Sequence, residues 1–120
     1  MELKTTVDAF VKQIESGDLL GAFETYYSED VTMQENGNTA TIGKDANRTR
    51  ELAFVDMVAD VHENRAASVI AGGDKVAINW IMDLTLKNGA RVKYDQIALQ
   101  TWKDGKIVSE RFYYDTGAKA

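Results

Sequence analysis

Two hydrophobic periods divide this chain. Leu3, Val7, Phe10 and Ile14 recur at helical spacing and predict a first helix that stops at Ser16-Gly17, where the glycine suits a helix end. Asp18 precedes Leu19, Ala22, Phe23, Tyr26 and Tyr27, a pattern that predicts a second helix ending near Ser28, with the Asp18 carboxylate accepting first-turn N–H groups. Val31, Met33 and Glu35 then alternate with Thr32 and Gln34 up to Asn36-Gly37, which reads as a short strand running into a turn. Good helix formers from about Lys44 to Val55, with Ala46, Ala53, Phe54 and Met57 spaced for one face, predict a third helix.

Beyond it the period becomes two. β-Branched and aromatic residues fill runs separated by Gly72-Gly73-Asp74, Asn88-Gly89 and Asp104-Gly105, predicting a meander of four strands: Val58 to Ile70, Lys75 to Leu86, Arg91 to Trp102 and Lys106 to Tyr114. Helices followed by long strands make the class α+β, three helices packed on a curved, mainly antiparallel sheet in a single domain. Val76, Ile78, Trp80, Met82, Leu84 and Leu86 share the face that should meet the helices. On the opposite face Ile81, Ile97, Leu99 and Tyr113 would form an apolar patch that suggests a homodimer through the sheet, the alternative being scattered surface hydrophobes.

Composition narrows the possible partners. With 120 residues, 44% of them hydrophobic, the chain fits one domain with one core. A net charge of −5 offers no basic field for nucleic acid or anionic lipid. No cysteine is present, so disulfides and thiolate chemistry are excluded. Glu2, Lys4 and Asp8 interrupt the first ten residues, which therefore lack the apolar run of a signal peptide or span; a cytoplasmic protein is the expectation. Asn47-Arg48-Thr49 matches a glycosylation acceptor, read as a chance match in such a protein.

Candidate chemistry is sparse. The lone histidine, His62, lies beside Glu63, and the two could act as acid and base or serve only structurally. Tyr94, Gln96, Gln100 and Trp102 share the inward parity of one strand. Buried amides need partners, so the two glutamines either bond within the core or offer donors and acceptors to a ligand. No second histidine or carboxylate cluster supports a metal site, and neither a Gly-x-Ser-x-Gly elbow nor a phosphate loop is present. No cofactor is expected.

Tyr27-Ser28-Glu29-Asp30-Val31-Thr32-Met33, then Glu35, then Ile42-Gly43-Lys44, resembles the front half of SnoaL-like and ketosteroid-isomerase-like domains. Asp104-Gly105-Lys106-Ile107-Val108 followed by Glu110-Arg111-Phe112-Tyr113-Tyr114-Asp115 resembles the closing hairpin of the same superfamily, which also includes the nuclear transport factor two domain. The resemblance implies a cone in which the concave face of the sheet and the helices enclose a mostly apolar pocket. It places Glu35 where the isomerases carry their catalytic base, a carboxylate whose pKa desolvation would raise. It also shows departures: Phe10 stands in place of the donor tyrosine, Ala98 or Leu99 in place of the protonated aspartate, and Phe112 in place of the acidic catalyst of SnoaL-like cyclases. By the same resemblance Glu110, Phe112 and Tyr114 point inward, Glu110 as a second carboxylate paired with Glu35 or held by Arg111 or a glutamine. Trp80, Trp102 and Tyr114 could stack a flat ligand or be plain core.

The expectation is a cofactor-independent protein that binds a small, mainly apolar organic molecule. Acid–base chemistry would be isomerase- or cyclase-like, with Glu35, Glu110 and more weakly His62 as candidates, and Phe10, Trp80, Tyr94, Gln96, Gln100, Trp102, Phe112 and Tyr114 as contacts. The alternative is a non-catalytic binding or dimerisation module.

Overall fold

The computed structural model describes residues 3–115. Its elements run α1 (Leu3–Glu15), α2 (Leu19–Tyr26), β1 (Tyr27–Glu35), β2 (Thr41–Ile42), α3 (Lys44–Met57), β3 (Val58–Gly72), β4 (Lys75–Leu86), β5 (Arg91–Lys103) and β6 (Lys106–Tyr113). The strands form one sheet in the order β2-β1-β6-β5-β4-β3, with β1 and β6 parallel and every other pair antiparallel. This is the α+β arrangement expected, three helices on a mainly antiparallel sheet.

Core packing follows the apolar stripes. Val7, Phe10, Val11 and Ile14 of α1 meet Ala22 and Phe23 of α2 over the inner face of the sheet, where Val31, Met33, Val76, Ile78, Trp80, Ala98, Trp102 and Ile107 are buried. Gly17, at φ 98, takes the left-handed conformation that closes α1, and its N–H donates to Ile14 O at 3.0 Å. Asp18 caps α2 by accepting from Gly21 N at 3.0 Å.

Three local expectations are corrected. Helix α2 stops at Tyr26 rather than near Ser28, and the strand starts at once, so Tyr27 is a β1 residue whose ring turns inward and stacks on Phe23 at 4.9 Å. The cause is tertiary: Tyr27 already pairs with Ile107 across the parallel β1–β6 ladder. Second, Ala46 of α3 is exposed, and the residues buried instead are Lys44 and Asn47. Helix α3 covers backbone rather than apolar core at this end. Asn47 Nδ2 donates to the carbonyls of Thr41 (3.0 Å) and Gly43 (2.9 Å), while Lys44 Nζ donates to Glu24 O (2.8 Å). With Asn47 fully buried, the folded chain cannot carry a glycan there. Third, Ile81 is buried at 9% exposure, whereas Ile97, Leu99 and Tyr113 of the outer face stay open.

Candidate active site: a cavity with three carboxylates

Sheet register assembles the site row by row. Met33, Glu110, Gln100 and Val76 are successive partners across β1, β6, β5 and β4; Glu35, Phe112, Ala98 and Ile78 form the next row. Gln96 pairs with Trp80, and Tyr94 with Met82. Side chains in such rows share a face, so Glu35, Glu110, Gln96, Tyr94 and Trp80 all point to the concave side. Helix α3 closes the space from above. Asn47, Arg50, Glu51 and Phe54 lie at i, i+3, i+4 and i+7, one helical face.

Between them is a cavity of about 420 Å³, within the range of small-molecule sites. Phe10, Ile14, Phe54, Trp80, Met82 and Phe112 supply much of its apolar wall; Glu35, Arg50, Glu51, Tyr94, Gln96, Glu110, Tyr27 and Tyr114 are its polar members.

Glu35 reaches the cavity as expected, but both of its oxygens are occupied. Arg50 Nη2 donates to Oε2 in an ion pair, and the Tyr114 hydroxyl donates to Oε1. Arg50 is steadied through Nη1 by Asn47 Oδ1 at 3.3 Å. Tyr114 packs edge-on to Tyr94 at 5.7 Å, and its bond to Glu35 together with burial pushes its pKa up to about 12.

Glu110 sits deeper, only 3% exposed. Tyr27 OH donates to its Oε1 at 2.5 Å and Gln100 Nε2 to its Oε2 at 2.6 Å, while Trp102 Nε1 donates to Gln100 Oε1 at 2.9 Å. Burial pushes the Glu110 pKa up to about 7 against the opposing pull of these donors and of Arg50. Burial and the adjacent Glu110 carboxylate push Tyr27 well above the ordinary phenol value. Glu110 and Glu35 are therefore not paired with each other. Nor does Arg111 hold Glu110, since its Nε donates to Asn36 O at 3.0 Å and its guanidinium lies over Tyr113 at 4.8 Å.

Glu51 is the third carboxylate. Burial first, then the Glu110 charge and more weakly that of Glu35, raise its pKa to about 7, with Arg50 pulling the other way. Unlike the other two it accepts no hydrogen bond among the described residues.

Of the contacts expected from sequence, Phe10, Trp80, Tyr94, Gln96, Phe112 and Tyr114 border the cavity. Gln100 and Trp102 do not: they form the buried support behind Glu110, Trp102 standing edge-on to Phe10 at 5.7 Å. His62 is outside as well. It is the extra residue of a bulge between the Val61–Leu84 and Glu63–Asp83 pairs, exposed, with Nε2 2.7 Å from Thr85 Oγ1. The alternation that left its facing open is broken at that residue. Tyr27, Arg50 and Glu51 were not anticipated. The signal for the last two is their place at i+3 and i+4 from Asn47, on the same helical face as Phe54 at i+7. No cluster of three or more metal-binding side chains occurs among the described residues, and none of their helices is long and apolar enough to cross a membrane.

A SnoaL-like domain model matches residues 3–114, nearly the whole chain. The protein belongs to the SnoaL-like family. Among solved structures, this SnoaL-like protein is similar to a candidate SnoaL-like polyketide cyclase, also described as a carbohydrate phosphatase, from Mesorhizobium loti. The two share 31% identity over 95% of this chain and all of the other, with a TM-score of 0.85. A protein with a ketosteroid-isomerase-like fold from Catenulispora acidiphila, in complex with trimethylamine (18% identity, 92% of this chain and 85% of that one, TM-score 0.75), shares the fold. So does AclR of Streptomyces galilaeus, a candidate hydroxylase (18%, 94% and 88%, 0.76). No curated protein sequence matches the SnoaL-like chain.

Proposed function

We propose that this SnoaL-like protein takes a small, mainly apolar organic molecule into the cone cavity and moves a proton on it without a cofactor, in isomerase- or cyclase-like chemistry. The observation that carries this reading is the convergence of Glu35, Glu51 and Glu110 with the hydroxyls of Tyr27 and Tyr114 on one largely apolar cavity. The wall supplies binding, and the carboxylates and donors supply proton transfer and stabilisation of developing negative charge. Support comes from the 31%-identical relative, described as a candidate polyketide cyclase. Glu35, which the family resemblance puts in the place of the base, here accepts from both Arg50 and the Tyr114 hydroxyl, which leaves Arg50 as the group with N–H donors to spare for a ligand oxygen. That double occupation favours the second reading, a binding module without catalysis.

A thermal-shift screen against small carbonyl compounds, steroids and polyketide-like aromatics separates these readings when stabilising compounds are then assayed for deuterium exchange in heavy water. A ligand at a hundred times its Kd should add about 2.7 kcal/mol of stability. Ala53→Trp, which fills the cavity border from an exposed helix position, should abolish that gain. Binding with exchange supports the enzyme, binding without exchange the module, and stabilisation that survives Ala53→Trp contradicts both.

We also propose that two copies associate through the outer face of the sheet. Ile70, Ala77 and Leu99 are successive partners across β3, β4 and β5, and Ile97 pairs with Tyr113 across β5 and β6. Ile70, Leu99, Ile97 and Tyr113 are 69%, 42%, 41% and 40% exposed, an adjoining apolar surface that a second copy would cover. Light scattering should give twice the chain mass for the wild type and one chain mass for Leu99→Lys; a monomeric wild type contradicts the dimer.

A further inference from the structure

We propose that Glu51 is the general base of this cavity, a role that rests on the proton-transfer reading above. The three carboxylates differ in how their oxygens are engaged. Those of Glu35 are taken by Arg50 and Tyr114, and those of Glu110 by Tyr27 and Gln100. Each of these oxygens keeps a lone pair, but its donor stabilises the ionised carboxylate, and that charge-assisted hydrogen bond weakens when the group takes a proton. The oxygens of Glu51 accept no hydrogen bond among the described residues, and Glu51 lines the same cavity. Position is fixed by α3: Asn47, bound to backbone carbonyls one turn earlier, sets the helix rotation that turns Glu51 inward.

A carboxylate removed from water without compensating donors is a stronger base than a solvated one. Burial, with Glu110 of β6 and Glu35 of β1 adding negative charge, brings Glu51 up to about 7 against the pull of Arg50 on its own helix; the Tyr27 hydroxyl faces the same group. At neutral pH a good fraction is therefore ionised and ready to accept a proton.

The step is balanced within the ligand. A Glu51 oxygen takes the proton from a carbon next to a carbonyl, and the C–H electron pair moves to the carbonyl oxygen as an enolate. The enolate oxygen is met by an N–H of the Arg50 guanidinium, which has more donors than its bonds to Glu35 and Asn47 use. The Glu51 carboxyl then returns its proton, either to another carbon of the conjugated system, which is isomerisation, or to the alkoxide formed when the enolate carbon adds to a second carbonyl, which is cyclisation. Substrates of this class carry an acidified C–H near the middle of an apolar skeleton.

Nitrobenzisoxazole tests the base without knowledge of the natural ligand. A base removes its one acidic C–H proton, the N–O bond breaks, and a coloured nitrophenolate bearing a nitrile is released. The wild type should accelerate this saturably, with a rate that rises through about pH 7 and then levels. Glu51→Gln should lower kcat about 100-fold or more with KM little changed and the pH-dependent phase lost. Glu51→Asp, one methylene shorter, should recover part of the rate with the same pH rise. Thermal unfolding checks that both variants fold. A Glu51→Gln enzyme at wild-type rate overturns the assignment and leaves the proposed function standing. A wild type that binds the probe, seen by saturable quenching of tryptophan fluorescence that Ala53→Trp removes, yet does not turn it over also overturns the assignment. A wild type that does not bind the probe contradicts the cavity reading on which the assignment rests.

Discussion

Replacing Gln100 by leucine is expected to lower the stability of the domain by about 3 kcal/mol, because two buried groups lose their partner at once. Gln100 is fully buried and spans Trp102 Nε1 and Glu110 Oε2. Leucine of similar volume fills the space but leaves the indole N–H without an acceptor and one Glu110 oxygen without a donor. Each stranded group costs about 1–3 kcal/mol. Urea unfolding at pH 7 measures the loss, and a change below about 0.5 kcal/mol would contradict the network. The variant leaves the cavity wall intact, since Gln100 does not border it.

Raising the pH should weaken the domain through its cavity carboxylates, and Glu51→Gln should reverse part of that loss. The Glu51 pKa rises from 4.5 to about 7 on folding, so the folded state holds its proton more tightly than the unfolded chain. Its favourable contribution is therefore complete below about 4.5 and disappears as pH rises through about 7. One pKa unit corresponds to about 1.4 kcal/mol. Allowing for the partial opening of Glu51 to the cavity, the neutral glutamine should make the protein about 2 kcal/mol more stable than wild type at pH 8 and about equal to it at pH 4. The difference between the two stability curves isolates this residue from the other carboxylates. A flat difference, or one of opposite sign, would show that Glu51 is not held in a desolvating environment.

What was legible in the sequence follows the range of the interactions involved. The start of β4 at Lys75, its end at Leu86 and the start of β5 at Arg91 stand where Gly72-Gly73-Asp74 and Asn88-Gly89 predict them. Turn residues with positive φ, such as Gly73 (62°), Gly89 (90°) and Gly105 (76°), act locally and leave their mark in composition. Glu35 and Glu110 could be placed at the cavity because strand parity is strict and the family resemblance fixed which face is concave. Tyr27 escaped because helical and strand spacing both accommodate it, and the choice is made by Ile107, 80 residues away. Arg50 and Glu51 escaped for a different reason. A polar stripe on a helix normally faces water, and only the packing of α3 over the open end of the sheet turns it inward. The bulge at His62 likewise depends on register with β4, which one strand alone does not encode. Gln100 does take the inward face, but its amide is used by Glu110 and Trp102 and it does not border the cavity, which parity alone does not decide.

The proposed proton transfer needs cavity carboxylates tuned to neutrality, and carbon-13 NMR titration of the glutamate side-chain carboxyls, assigned with Glu51→Gln and Glu110→Gln, reads that tuning residue by residue. Two carboxyls are expected to titrate near pH 7, well apart from the remaining glutamates, and to move when a cavity ligand is added. Both signals titrating near 4.5 with the surface glutamates would contradict that tuning.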